Sequence, residues 1–390
     1  MWITRDISNI LAKNTNYIEV LIGPRQCGKS SLLFRLDSDY IEISLDDFSL
    51  REVVAKDPST FLSQFEGKKL IIDEVQLVPE LFFALKRRVD LMKREGIKRK
   101  TFFRVTGSNQ ILIDKNVKES LAGRASYFEL NTLSVAEITH HLKLPIGEII
   151  LKGGWPELYA DSSISTKRYL DDYIRSYVEK DIVLSAGIQK QNEFIRFAKL
   201  LAARTAHLVN HSELAKEVGV SSDTIKDWLS ILERMKIIVL INPYFSNLSK
   251  RLVKSAKVYF LDTGLACRLQ GHYDLVPLLS SSAFGHLFET LVCAEIYKTM
   301  INFSRNWQIF HWRSRDGEEI DFLIELENGK KLFIEAKTKR QSLEPLESFS
   351  ELKKVFQKNT PPRYVCHMEG ETILGDFIPI TCLRDFLLNF

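Results

Sequence analysis

Over the first third of the chain, short and almost continuously apolar runs alternate with stretches whose apolar residues recur every three or four positions. Residues 17–24 (YIEVLIGP), 39–47 (DYIEISLDD), 68–76 (KKLIIDEVQ), 100–109 (KTFFRVTGSN) and 125–130 (ASYFEL) read as five strands. Between them lie helical patterns such as residues 81–96 (LFFALKRRVDLMKREG). Strands that are apolar on both faces and alternate with helices predict an α/β fold, with a parallel sheet covered on both sides.

From about Ser134 the pattern turns helical. Residues 134–142 (SVAEITHHL) and 164–187 (ISTKRYLDDYIRSYVEKDIVLSAG) carry a 3.6-residue apolar period. Residues 211–241 read as helix, Gly-containing turn, helix and strand, the order of a helix-turn-helix with a wing. A further helix at 284–300 precedes strands at 308–314, 319–326 and 330–338, then helix, strand and strand to residue 380. This predicts four regions: 1–132, a sheet domain; 133–190, a helical lid and connector; 191–283, a winged helix; and 284–390, a smaller α/β unit. No low-complexity linker or internal repeat separates them, so the regions should abut.

Composition narrows the class. The 390 residues are 45% hydrophobic and 27% charged with a formal net charge of +4. That mix excludes a disordered chain, a collagen-like fibre and a small disulfide scaffold. The charge permits a basic face without requiring one. The five cysteines, Cys27, Cys267, Cys293, Cys366 and Cys382, are scattered with no C-x-x-C pair. Neither a disulfide framework nor a zinc site is expected from them. The first residues are charged where a signal peptide needs an apolar core, and no apolar run nears the roughly 20 residues of a membrane helix. A cytoplasmic protein without a membrane span is expected.

The run Gly23-Pro24-Arg25-Gln26-Cys27-Gly28-Lys29-Ser30 fits the phosphate-loop pattern G-x-x-x-x-G-K-[ST]. It lies between a buried strand and an apolar helix that begins with Ser30 and Ser31, where backbone N–H groups and the helix dipole would face phosphate oxygens. These nine residues, Gly23 to Ser31, form the candidate nucleotide-binding set. Lys29 would reach the β- and γ-phosphates of ATP and Ser30 would ligate Mg2+. Residues 70–74 (LIIDE) end an apolar strand in two acids. Asp73 would hold Mg2+ through water, and Glu74 would polarise the attacking water. In the next strand Asn109, or Ser108, would sit beside the γ-phosphate. Arg124, just before the fifth strand, would project to a neighbouring subunit's γ-phosphate in a homo-oligomer.

The segments GPRQCGKSSL, IIDEVQ, TGSN and SLAGR resemble those of a prokaryotic AAA+-type ATPase family with a C-terminal nuclease-like domain. Gly153-Gly154-Trp155-Pro156-Glu157, the helix-turn-helix and the IDF…IEAK segment follow in the order found in that family. The resemblance covers essentially the whole chain. It implies an AAA+-like sheet domain, a helical and winged-helix region, and a small nuclease-like α/β domain. Cys27 departs from the aliphatic residue usual there, at a position that offers only its backbone.

In the helix-turn-helix, Gly219 would make the turn, Ser221 or Ser222 would cap the next helix, and Leu214, Ala215, Val218, Val220, Ile225 and Leu229 would form the apolar seam. The second helix carries Lys226 but also Asp223 and Asp227, unlike the basic face of a typical DNA reader. Further on, Glu289 on a helix, Asp321 on one strand and Glu335-Ala336-Lys337 on the next resemble the PD-(D/E)XK nuclease core. Asp321, Glu335 and Glu289 would share a divalent cation, and Lys337 would orient or deprotonate a water beside it. His311, Trp312 and Arg313 on the preceding strand would line the same cleft, with Trp312 equally placed to be core. Two functions fit: an ATP-hydrolysing protein that couples nucleotide state to a winged-helix and nuclease-like module acting on DNA, or a nucleotide-dependent switch that binds a protein partner and carries an inert nuclease-like domain.

Overall fold

The computed structural model describes residues 1–108, 121–244, 255–314, 318–342, 352, 355, 356 and 360–390. The five expected N-terminal strands form: β1 (Ile18–Ile22), β2 (Tyr40–Ser44), β3 (Lys69–Asp73), β4 (Phe103–Gly107) and β5 (Ala125–Glu129). They lie in the order β2-β3-β4-β1-β5, all parallel. Ile18, Val20 and Leu21 are fully buried because helices cover both faces. The helices Phe48–Lys56, Pro58–Ser63 and Leu81–Arg94 pack on one side, Ser8–Lys13 and Lys29–Leu36 on the other. The central strands also hide an ion pair. Glu19 of β1 stands beside Arg104 of β4, Nε to Oε2 2.7 Å, and Tyr40 lies over the guanidinium. Burial raises the Glu19 carboxyl against the opposing pull of Arg104.

The helical region runs from Val135–His141 to Val183–Ala186 and includes nine residues of π-helix, Ile174–Ile182. Such wide turns are rare and frequently mark functional sites. The helix-turn-helix is formed by His211–Val218 and Ser222–Arg234. Gly219 between them has φ +87°, a left-handed conformation that favours glycine. Ser221 caps the second helix by accepting from the Thr224 N–H at 3.1 Å. Leu214, Ala215, Val218, Ile225 and Leu229 are buried as expected, and Val220 is half-buried. Trp228 joins them, edge-on to Phe194 at 5.3 Å.

The boundary at 283/284 is crossed by one sheet. Strands β6 (His207–Leu208), β7 (Ile238–Pro243) and β8 (Lys257–Phe260) continue into β9 (Gln308–Arg313), β10 (Glu319–Glu325), β11 (Lys331–Ala336), β12 (Arg363–His367) and β13 (Phe377–Pro379). The order is β13-β12-β11-β10-β9-β7-β8-β6. The join is parallel pairing of Asn242 and Pro243 with Phe310 and His311. One apolar core runs through the helical region, the helix-turn-helix and the C-terminal strands. The regions at 133–190, 191–283 and 284–390 therefore share an interior. Among the described residues no helix is long and apolar enough to cross a membrane.

Candidate functional site

The phosphate loop leaves the carboxyl end of β1, where parallel sheets place their ligands. Gly23 allows a close approach: a Cβ there would lie 2.0 Å from the Leu130 carbonyl oxygen. Gly28, at φ +93°, turns the chain into the helix Lys29–Leu36. Arg5 supports the loop from below, donating to the carbonyls of Cys27 (2.9 Å) and Asn131 (2.7 Å) while its Nε meets Glu137. The Cys27 thiol is buried and donates to the Leu130 carbonyl, and burial pushes its pKa up. It is a packed thiol, and the loop uses its backbone.

Lys29 is folded over the loop, its ammonium on the carbonyls of Gly23 (3.1 Å) and Pro24 (2.9 Å). The Ser30 hydroxyl donates to Asp73 Oδ1 at 2.7 Å, and Thr106 from β4 donates to the same oxygen. A hydroxyl and a carboxylate thus converge where Mg2+ would bind, and the donor set fits that ion. Glu74 has φ 54°, a left-handed conformation uncommon outside glycine. Its Oε2 accepts from Ser108 Oγ at 2.8 Å and from Gln76 Nε2. Asn109 lies outside the described residues. A cavity of about 780 Å³ opens over Gln26, Gly28, Lys29, Ser30, Ser31 and Glu74. Its far wall includes Trp2, which stacks with Arg35 at 4.6 Å, and Pro156 and Glu157 of the Gly-Gly-Trp-Pro-Glu turn.

That turn is explained by contact. A Cβ on Gly154 would lie 2.3 Å from the Leu133 oxygen, and one on Gly153 would lie 2.2 Å from Asp262 Oδ1. The Gly154 N–H donates to Asp262, and buried Trp155 packs on Tyr173 at 4.2 Å. The π-helix closes on the loop from another side. Arg25 pairs with its Asp181, and its Tyr177 hydroxyl donates to the Ser108 carbonyl at 3.3 Å.

Arg124 sits elsewhere. It precedes the first residue of β5, at the end of the sheet remote from the phosphate loop, and holds Asp90 by Nε (2.7 Å) and Nη2 (2.9 Å). It does not reach the loop of its own chain.

At the C-terminal cleft the structure brings the expected metal set, Glu289, Asp321 and Glu335, into one cluster with Lys337. Each of these carboxylates also meets a protein partner. Glu289 Oε1 accepts from Lys257 Nζ at 3.0 Å and from the Tyr259 hydroxyl at 2.6 Å. Asp321 Oδ2 accepts from the Ala336 N–H at 2.9 Å. Glu335 pairs with Arg363 at 3.2 Å. Lys337 Nζ stands 4.0 Å from Asp321 and 3.8 Å from Glu335. Burial first, and then Asp321, raises Glu289 to about 7. Among the described residues no group of three or more His, Cys, Asp or Glu side chains is arranged to hold a metal ion. His311 is buried on the cluster side of β9, and burial pushes it down to about 4, while Trp312 faces the apolar core beyond the sheet. Arg313 reaches Glu319 at 3.9 Å.

Sequence reasoning missed Arg5, Gln76, Thr106 and Lys257. Thr106 had a signal: it lies two residues before Ser108, so strand alternation puts both on one face.

Residues 15–139 match the AAA domain family, residues 145–275 a domain of unknown function (DUF8612), and residues 284–383 another domain of unknown function (DUF4143). An uncharacterised protein of Mycobacterium tuberculosis is 28% identical over 312 residues, 79% of this chain and 68% of that protein. One from Haemophilus influenzae is 24% identical over 286 residues, 65% and 69% of the two chains. Among solved structures, the Walker-type ATPase PABY2304 of Pyrococcus abyssi aligns with a TM-score of 0.44 at 16% identity, over 68% of this chain and 94% of its own. The Aeropyrum pernix ORC1 protein in complex with DNA aligns at 0.29 and 13%, over 65% and 88%. Likenesses this loose carry no weight for how the regions work. The family matches and the sheet agree on the coarser conclusion: an AAA-type domain of P-loop ATPase fold precedes a DUF4143 domain.

Proposed function

We propose that this protein hydrolyses ATP at the loop Gly23–Ser31 and passes its nucleotide state to the helix-turn-helix and C-terminal regions. The observation that carries this is the Ser30 hydroxyl bonded to Asp73, beside Glu74 and beneath a cavity of about 780 Å³. In this reading Lys29 exchanges the Gly23 and Pro24 carbonyls for phosphate oxygens. Ser30 and Asp73 would hold Mg2+, which when bound would supply charge neutralisation at the phosphates. Glu74, held by Ser108 and Gln76, takes a proton from the attacking water. Asn109 remains a candidate beside the γ-phosphate, and Arg124 a candidate finger toward a second copy once it leaves Asp90. The four-region division is kept as regions of use, with the three C-terminal ones sharing a core.

A specific observation favours the switch over the DNA-acting reading. On the exposed face of Ser222–Arg234, Lys226 is spent on Asp223 at 2.9 Å, and Asp227 stands beside it. That face is not the positive surface a phosphate backbone attracts.

The test is nucleotide binding and turnover in the full chain. Lys29→Ala should lose ATP binding. Glu74→Gln should bind ATP and lose at least about a hundredfold in kcat, because it keeps the shape and loses the base. Parent-rate hydrolysis by Glu74→Gln would sink the assignment. In the same assay, salt-sensitive binding of duplex DNA would restore the DNA-acting reading.

A further inference from the structure

The C-terminal cleft gathers four carboxylates from three elements. Glu289 comes from the helix Ala283–Asn302, Glu319 and Asp321 from β10, and Glu335 from β11. Charges of one sign at this density need a counter-charge, and a buried one that lacks it is strongly disfavoured. The structure supplies that charge from outside the C-terminal region. Lys257 belongs to β8, in the strand pair that follows the helix-turn-helix. Its ammonium lies 3.0 Å from Glu289 and 2.5 Å from Glu319, and its side chain is 5% exposed. The Tyr259 hydroxyl, from the same strand face two residues on, donates to the same Glu289 oxygen.

We propose that Lys257 is a tethered cation that takes the place of a divalent metal in this cleft, so the folded chain binds no divalent ion there and the cluster instead clamps β8 to the C-terminal strands. A metal ion bound to Glu289 would come within contact distance of the ammonium nitrogen, and the two positive charges would repel at close range in a buried site. The ammonium cannot swing away as a surface lysine would. Its strand is paired on both sides, Lys257 with Ile241 of β7 and with Leu208 of β6. Burial works against its charge, but Glu289, Asp321 and Glu319 outweigh burial and raise its pKa. The remaining carboxylates are likewise engaged: Asp321 by the Ala336 N–H, and Glu335 by Arg363. A lysine, unlike a hydrated metal ion, carries no bound water to activate. The cleft therefore keeps the outline of a metal site without its chemistry. This inference concerns the C-terminal region alone and stands whether or not the phosphate loop turns over ATP.

Manganese titration of the full-length chain without nucleotide, followed by calorimetry, tests it. The parent and Asp321→Asn should give the same isotherm, since the cleft takes up no metal in either. Lys257→Met should gain one site, at least tenfold tighter than any in the parent, and adding Asp321→Asn should abolish it. Lys257→Arg, which keeps the charge, should gain none. A parent site that Asp321→Asn removes would overturn the proposal. So would a folded Lys257→Met that gains nothing. If Lys257→Met does not fold, the parent against Asp321→Asn decides alone.

Discussion

Glu74 is the residue on which the proposed chemistry turns, and its setting is built by residues far apart in sequence. A general base must be aimed as well as ionised. Here Ser108 and Gln76 both donate to Glu74 Oε2, and the left-handed backbone at Glu74 fixes where the side chain starts. Gln76 is buried and cannot turn away into solvent. Removing either donor should leave ATP bound and misdirect the carboxylate. Ser108→Ala and Gln76→Ala should each lower kcat by about tenfold with KM little changed, a fraction of what the base itself contributes. Steady-state kinetics beside the Glu74→Gln variant check this; an unchanged kcat in both would make the contacts incidental. The phosphate loop was legible because its geometry is local: two glycines, a lysine and a hydroxyl at fixed spacing follow a strand. Arg5, Thr106 and Lys257 were not, because each acts on a residue more than twenty positions away. A sequence without the fold cannot say which lysine meets which glutamate.

At the scale of elements, the helix Ala283–Asn302 ties the nucleotide domain to the rest. Its Glu295 accepts from the N–H groups of Val135 (2.7 Å) and Ala136 (3.1 Å), the opening amides of the helix Val135–His141. Its Lys298 donates to Thr132 Oγ1 and the Leu133 carbonyl. Leu133 in turn pairs with Gly154. A carboxylate at a helix N-terminus gains from the free amides and the dipole. Full burial nevertheless dominates, and raises Glu295 from 4.5 to about 7 despite both hydrogen bonds. The sign follows from linkage. The folded chain holds this proton more tightly than the unfolded chain, so stability is fully present below about pH 4.5 and is lost as pH rises toward 7. Full titration of the group accounts for about 3 kcal/mol at most. Glu295→Gln should therefore flatten the fall in melting temperature between pH 5 and pH 7.5; a parent-like slope in the variant would rule the group out. Most strands and helices were readable from their periods, though β8 and the helix Thr263–Gln270 were not. This tie was not, because Glu295 lies in an apolar helix where the pattern gives no hint that a helix end from residue 135 meets it.

For the whole molecule, the question is how many parts can unfold on their own. The sequence suggested four abutting regions, and the boundary before residue 284 coincides with a change of pattern. Contacts argue for two units. The five-stranded sheet has its own cores on its two faces. The remainder shares a main core and one eight-stranded sheet, in which β9 lies between β10 and β7, with a smaller apolar cluster around Phe310, Trp312 and Phe333 on the sheet's other face. Cutting at 283/284 would strip β7 from β9 and leave an unpaired edge, a liability for aggregation. It would also remove β8 with Lys257, leaving Glu289 and Glu319 without their counter-charge. The helix Ala283–Asn302, buried on nearly every side, would lose the strand β8 and the residues 132–136 it packs against. Chains that share a core unfold together. Hydrogen exchange of the full chain should therefore show β7, β8, β9, β10 and β11 opening with one free energy. ATP should raise protection first in β1, β3 and the loop between Gly23 and Ser31, by mass action on the state that binds it. A fragment of residues 284–390 that melts cooperatively by itself, at a temperature near that of the full chain, would show that the sheet join contributes nothing and would return the C-terminal region to the status of a separate domain.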